Sequence, residues 1–321
     1  MQETLQIYIL SKDRENYLRE ALSSALKQAS DEFKIEVIVS DNSETDCVEK
    51  LMCSEFPDVK LVRRIPFLSS HDHHRRVIDE ASSDYLVIFH DDDLMLPGYA
   101  ERMLGVIREH PDSVAVGCNS FIFHDKAKSP VALIHSFRSI QYFKDEPSFL
   151  MQNICDPRGI CPLPSYIYRR RFLSSGLVNE KEGGKYSDVS FLSKLIEFGN
   201  LIWIPDALMM TRFHSDNDSG KFLIADKLKL VRYMVSRGVN KDHPMLMLYK
   251  YISWGIWFQQ SGNVIFRSNY YRRASVVRKF IISYSLRKLF TKFFYYSLYL
   301  RVKRRIFPDS RLAKFRIESN A

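Results

Sequence analysis

Tyr85-Leu86-Val87-Ile88-Phe89-His90-Asp91-Asp92-Asp93-Leu94-Met95-Leu96-Pro97 is the stretch on which the reading of this chain turns. Its apolar run, Tyr85 to Phe89, reads as a buried strand. Three carboxylates at the carboxyl end of such a strand would be stranded in low dielectric unless water, hydrogen-bond donors or a cation met them. The cluster therefore points to a hard-cation site, because Mg²⁺ or Mn²⁺ binds through one or two carboxylates together with the phosphates of a nucleotide. The competing reading is a solvated turn that caps a helix starting near Pro97.

Upstream of this stretch, short apolar runs alternate with segments of helical spacing. Leu5 to Leu10 reads as a first strand, and Leu18, Ala21, Leu22, Ala25 and Leu26 recur as one face of a helix. Ile35 to Val39 is a second strand ending at Ser40-Asp41-Asn42-Ser43. Val48, Leu51 and Met52 mark a helix, Val59 to Val62 a third strand, and His73 to Ala81 another helix. Repeats of this length predict a parallel sheet with helices on both faces, whose ligands sit beyond the carboxyl ends of the strands. Lys12 to Arg14, Ser40 to Ser43 and Asp91 to Asp93 then converge on one crevice. Downstream, a helix through Met103, Leu104 and Ile107 is followed by a strand over Val114 to Asn119. Residues 126–164 read as loops that shape an acceptor site. Gly183-Gly184 precedes Tyr186-Ser187-Asp188 and the helix stripe Val189, Leu192, Leu195 and Ile196. Leu201 to Ile204 and Leu208 to Phe213 read as two short strands running into His214.

Composition narrows the class. With 321 residues, 45% of them hydrophobic and 13% aromatic, the chain is long enough to bury a large core. The first residues do not read as a signal peptide, because Leu5 to Leu10 is short and runs at once into Lys12, Asp13 and Arg14, so a cytoplasmic protein is expected. Five cysteines in no CxxC spacing form neither a disulfide framework nor a zinc ribbon; they are expected to be reduced, with Cys118 in the core. The net charge of +9 is concentrated at one end: Arg267 to Arg316 holds fifteen Lys or Arg against one acid, Asp309. Aromatic and aliphatic residues are interleaved there without an apolar run of the roughly 18 residues that a membrane span needs. That composition suits amphipathic helices on an anionic membrane surface. A helical cap with solvated charges is the alternative; nucleic acid is disfavoured, since no RNA-binding or helix-turn-helix pattern accompanies the basic residues.

Taken together, the segments resemble family 2 glycosyltransferases of the GT-A fold over roughly residues 5 to 220. Ile7 to Arg14 is similar to the family's opening strand and Asn-Arg turn, with Asp13 where Asn is usual. Val39-Ser40-Asp41-Asn42-Ser43 is similar to its Asp-Asp-Gly-Ser turn, Ser40 replacing the first acid. Tyr85 to Pro97 matches its DXD segment, with His90 at the first-acid position. Tyr186-Ser187-Asp188 and Thr211-Arg212-Phe213-His214 are similar to the Glu-Asp acceptor segment, with Ser187 for Glu, and to the later Arg-x-His turn.

The resemblance implies an α/β GT-A fold, Rossmann-like and mostly parallel, followed by a basic, aromatic-rich helical region. It divides the chain into a nucleotide-sugar-binding half over residues 1–125, an acceptor half over 126–220 and a C-terminal region over 221–321. Nucleotide-sugar contacts are expected from Asp13, Asp41 (to the uracil of a UDP-sugar), Asp91, Arg75 and Arg76. A Mn²⁺ or Mg²⁺ ion is expected on Asp92 and Asp93, with His214 completing its shell or meeting phosphate. Asp188 is the expected catalytic base of an inverting hexosyl transfer. The expected acceptor is a glycan, lipid-linked in the sense of bacterial O-antigen, capsule or lipooligosaccharide synthesis, reached from the inner face of the cytoplasmic membrane. Two other readings compete. His71, Asp72, His73 and His74 have zinc-ligand chemistry, but neighbours on one helix cannot all face one ion. A noncatalytic nucleotide-binding scaffold is compatible with the departures at Asp13, Ser40, His90 and Ser187.

Overall fold

The structure, a computed structural model, describes residues 2–124, 130–156, 159–214, 224–250 and 252–253. The first half alternates strand and helix: β1 (Glu3–Ser11), α1 (Glu15–Leu26), β2 (Phe33–Asp41), α2 (Cys47–Glu55), β3 (Lys60–Arg63), α3 (Ser70–Glu80) and β4 (Tyr85–His90). There follow β5 (Leu94–Met95), α4 (Tyr99–Glu109), β6 (Ser113–His124), β7 (Ala132–Leu133), β8 (Gln141–Phe143), α5 (Glu146–Cys155) and β9 (Tyr166–Arg169). The described elements end with α6 (Ser187–Leu195), β10 (Asn200–Phe213) and α7 (Ile224–Ser236).

One sheet runs in the order β3-β2-β1-β4-β9-β6-β10-β5, with β7 beside β6 and β8 beside β10. β1 to β4 pair in parallel, and their register aligns Ser11 with Asp41 and Leu10 with His90, so the three carboxyl ends are level. Side chains alternate across the pleat and feed two cores. Leu5, Ile7, Ile9, Tyr85, Val87 and Phe89 pack toward the buried faces of α1, α2 and α4. Tyr8, Leu10, Leu86 and Ile88 face the other way, into a core shared with α3, α5, α6 and α7.

The second half departs from the sequence expectation in three ways. β9 inserts antiparallel between β4 and β6, which makes the sheet mixed. The space for it is local: a Cβ on Gly117 would stand 2.7 Å from the Tyr166 ring, so only glycine lets that ring lie flat across β6. The two short strands expected near Leu201 and Leu208 are one strand, β10, whose pairing with β6 shifts at Ile204/Ala207 and Ala207/Met209. Pro205 lacks a backbone donor and lies within that irregularity, where a break in the ladder accommodates it. The segment read as loops carries β7, β8 and α5, the last capped by Asp145, which accepts from Ser148 N–H at 2.8 Å. Trp203 anchors this half, with Phe143 at 4.6 Å and Phe149 at 5.8 Å between ring centroids and its indole N–H donating to Tyr166 Oη at 2.6 Å.

Candidate active site

The level strand ends bring three turns together. After β1 the chain turns through Asp13, whose φ of 51° lies in the left-handed region that Asp tolerates better than most residues. Asp13 N–H donates to Ser43 Oγ at 2.7 Å. Its carboxylate accepts from Thr45 Oγ at 2.7 Å and from the N–H groups of Thr45 and Glu44 at 3.1 and 3.3 Å. Partial burial works to raise this carboxyl, but the Thr45 and Glu44 hydrogen bonds prevail and hold it below the usual range. Asp13 therefore ties the β1 turn to the β2 turn, and its oxygens are directed at protein donors rather than at the crevice.

Asp41, fully buried, accepts from Ser43 N–H at 2.9 Å through Oδ1, while its Oδ2 has no hydrogen-bond partner. The nearest cation is Arg63, with Nε at 4.0 Å, itself buried and unbonded at that atom. Asn42 braces the rim by exchanging hydrogen bonds with the N–H and carbonyl of Leu68, at 2.8 and 2.9 Å. Ser40, standing where the family's first acid is usual, accepts from Arg64 Nε at 2.9 Å and meets His73 Nε2 at 2.7 Å. Arg64 in turn forms a bidentate pair with Glu80, both contacts at 2.7 Å. Burial first, then the charges of His74 and Arg64, push the His73 imidazole down to about 3, so it is neutral at ordinary pH.

The acid triplet divides its labour. Asp91 Oδ2 accepts from Ser11 Oγ at 2.9 Å and from Lys12 N–H at 3.2 Å. Burial and the neighbouring Asp92 charge nonetheless push its carboxyl up to about 6. Asp92 Oδ2 lies 3.0 Å from His214 Nε2 and 3.2 Å from Arg14 Nη1. Burial opposes its charge, yet His90, His214 and Arg14 together hold it below the carboxylate range. Asp93 is buried, accepts from Arg212 N–H at 3.0 Å, and is pushed well up by burial and by Asp92. It does not cap α4, which begins after Gly98 in a left-handed conformation. The turn is folded back by β5, which pairs antiparallel with Met209 and Met210 of β10. That pairing sets Arg212 and His214 over the acids: Arg212 donates to the Asp92 carbonyl at 3.0 Å, pairs with Glu20, and lies between the rings of Tyr17 and Phe123 at 4.6 and 4.5 Å.

Among the described residues, His90, Asp92 and Asp93 form a group that could hold a metal ion, their ligating atoms all within 4.8 Å of one another. One imidazole and two carboxylates at a level strand end fit a divalent cation of the Mn²⁺ type. His90 was legible as a departure at the first-acid position, but its value as a nitrogen donor emerges only from this geometry. The histidines of α3 do not gather. His73 faces Ser40, His71 Nε2 meets Ser187 Oγ at 2.9 Å, and His74 Nδ1 meets the Ser70 carbonyl at 2.8 Å.

Two expected phosphate contacts lie elsewhere. Arg75 donates to the Val178 carbonyl at 2.9 and 2.8 Å and pairs with Asp72 at 2.6 Å, so its guanidinium closes α3 against the loop before α6. Arg76 is exposed and 4.0 Å from Glu80. The cation at the acids is Arg14, which the sequence placed at this crevice within Lys12 to Arg14 without a role of its own.

Asp188 stands at the first turn of α6, its Oδ1 accepting from Val189 N–H at 2.9 Å. Burial raises its carboxyl, opposed by that N–H and by the charges of Lys227 and Lys185. Lys227 comes from α7 and lies between the rings of Tyr186 at 4.0 Å and Tyr249 at 4.8 Å, donating to Tyr249 Oη at 2.6 Å. Burial, with Lys185, lowers its ammonium to about 8. Gly184, with φ of 63°, permits the approach, since a Cβ there would fall on the Asp226 carboxylate of α7.

Comparison with known proteins gives the arrangement a family. The profile described as glycosyl transferase family 2 matches residues 6–174, more than half of the chain. No curated protein matches the sequence. Among solved structures, S. aureus TarS 1-349 is similar in fold at 13% identity with a TM-score of 0.54, over 81% of this chain and 74% of that one. Its complex with UDP-GlcNAc matches at 13% identity and TM-score 0.53 over 80% and 73%, and its complex with UDP at 13% and 0.54 over 80% and 72%. With a GT-A architecture and a family profile spanning the three strand-end turns, this chain belongs to glycosyl transferase family 2.

Proposed function

We propose that this glycosyltransferase moves a sugar from a UDP-sugar to a hydroxyl of a glycan acceptor, with inversion at the anomeric carbon and with Mn²⁺ or Mg²⁺ as cofactor. The observation that carries the reading is the buried Oδ2 of Asp41, which has no hydrogen-bond partner, faces Arg63 Nε only at 4.0 Å and lies level with Asp91 and Asp92 at the strand ends. A buried acceptor oxygen costs free energy until a donor meets it, and the ring N–H of uracil is such a donor. TarS, which shares the fold, is seen with UDP and with UDP-GlcNAc, which favours UDP among the nucleotides to be tried.

His90, Asp92 and Asp93 would hold the cation, which when bound supplies positive charge for a departing diphosphate. A donor set that includes an imidazole favours Mn²⁺ over Mg²⁺, which prefers oxygen. Asp188 is the base. It accepts the proton of the acceptor hydroxyl as that oxygen bonds to the anomeric carbon and the carbon's bond to the diphosphate oxygen breaks. The burial that raises its proton affinity suits that task. We assign residues 1–125 to the donor, 126–220 to the acceptor and 221–321 to attachment or capping.

The finer reading is a lipid-linked acceptor in bacterial surface-glycan synthesis, met at the inner face of the cytoplasmic membrane. Its membrane part rests on the basic stretch from Arg267 to Arg316, which lies outside the described residues, and its bacterial part on the family resemblance alone. Among the described residues no helix is long and apolar enough to cross a membrane. The test of the function is calorimetric titration with UDP, GDP, CDP and dTDP, each with Mn²⁺ and again with EDTA. Manganese-dependent binding of UDP is expected; binding of none of the four would overturn the reading in favour of a noncatalytic scaffold.

A further inference from the structure

We propose that Arg14 is a built-in counter-cation of the acid cluster, one that resists a lone divalent ion and turns to the donor's diphosphate when metal and nucleotide bind together. The inference rests on the metal-dependent reading above. Its guanidinium is shared between two acids, with Nη1 3.4 Å from Asp91 Oδ1 and 3.2 Å from Asp92 Oδ2. Both contacts are longer than the roughly 2.7–2.9 Å of a well-formed charge-assisted bond, so Arg14 neutralises the pair without being locked to either. The Asp91 and Asp92 side chains are 5% and 14% exposed, whereas that of Arg14 is 35% exposed.

Other arginines around the site differ in kind. Arg64 is fixed by Glu80 and Ser40, Arg75 by Val178 and Asp72, and Arg212 by Glu20 and the Asp92 carbonyl. Arg14 is held by Asp92, which a metal would claim, and by Asp91 beside it. Asp92 Oδ2 also faces His214 Nε2 at 3.0 Å, so a cation approaching that oxygen must displace a partner. A cation bound alone would set two like charges side by side. Bound with a diphosphate, it brings the anion to which a planar guanidinium bonds through two parallel N–H groups. Arg14 thus opposes the metal and favours the nucleotide, and the two effects have opposite signs.

Opposite signs make the idea testable by binding alone. Full-length wild type, Arg14→Met and Arg14→Lys would be titrated with Mn²⁺ alone, free ion being counted by electron paramagnetic resonance. They would then be titrated at saturating Mn²⁺ with whichever of UDP, GDP, CDP and dTDP binds. Arg14→Met should bind Mn²⁺ alone about fivefold or more tightly and the diphosphate about fivefold or more weakly, within the usual range of coupling between sites. Arg14→Lys, which keeps the charge without the planar fork, should hold Mn²⁺ near the wild-type affinity yet bind the diphosphate more weakly. A merely structural role would weaken both ligands in Arg14→Met, and that result, or unchanged affinities, would overturn the inference while leaving the metal-dependent reading intact. Wild type that binds neither Mn²⁺ nor any diphosphate would overturn that reading and this one with it.

Discussion

The carboxyl edge of β1, β2 and β4 and the turn that opens α6 both keep carboxylates inside the protein, by different means. At the strand edge Asp91, Asp92 and Asp93, with the exposed Asp13 beside them, are each met by hydrogen-bond donors or cations, several of them from neighbouring turns. At the α6 turn Asp188 is met by backbone N–H groups, Val189's among them, and its further support is the more diffuse charge of Lys185 and of Lys227, itself caged by Tyr186 and Tyr249. Donors and cations keep a carboxyl ionised only where they outweigh burial, as at Asp13 and Asp92, whereas burial prevails at Asp91, Asp93 and Asp188.

The largest effect is expected at Asp188, the proposed base. Asp188→Asn should lower transfer by about 100-fold to 10,000-fold, the usual weight of general base catalysis, while diphosphate affinity stays as in wild type. Retained transfer in a donor-saturated assay would remove Asp188 from that role. Next in size is the support of the α6 turn: Gly184→Ala puts a methyl against Asp226 at a left-handed position and should cost about 1–3 kcal/mol of stability. Denaturant unfolding measures that loss, and a neutral result would show that α7 does not brace the turn.

A graded effect, spread over several pH units, probes the strand-edge side. His73 is held near 3, well below the roughly 6.5 of a free imidazole, so the unfolded chain takes up a proton that the folded one refuses. Its contribution to stability is present above pH ~6.5 and is lost as pH falls toward ~3, with a slope of up to about 1.4 kcal/mol per pH unit. His73→Gln should flatten that acid slope in unfolding experiments, and an unchanged slope would place the burden on other groups. The smallest effect is expected from Lys227→Met. Removing that charge disfavours ionised Asp188, so the acid limb of the transfer-rate profile should move to higher pH by about half a unit to one unit, a change of roughly 1 kcal/mol. A profile that does not move would mean that Lys227 only packs between its two rings.

The strand edge was largely legible in advance because its signals are local. Apolar runs of strand length ending in Lys12 to Arg14, Ser40 to Ser43 and Asp91 to Asp93 need only the rule that ligands gather at strand ends, and the register of β1, β2 and β4 levels those ends. The partners within the edge were not legible. That Asp13 would be taken up by Thr45, that Arg75 would face Val178, and that Arg14 would sit between Asp91 and Asp92 depend on side-chain directions across three turns. Around Asp188 still less was readable, since Lys227 and Tyr249 lie 39 and 61 positions away in the chain and share no pattern with it.

By itself the amino-acid sequence determined the alternation of strand and helix, the two-faced core and the placing of acids at strand ends. Periodicity and the cost of burying charge act within a few residues. Only the tertiary structure decided that β9 would run antiparallel between β4 and β6, that β10 would be one interrupted strand, and that His90, Asp92 and Asp93 would point to a common centre. Those outcomes are set by pairing between distant segments, where the energy lies in contacts that no local window contains.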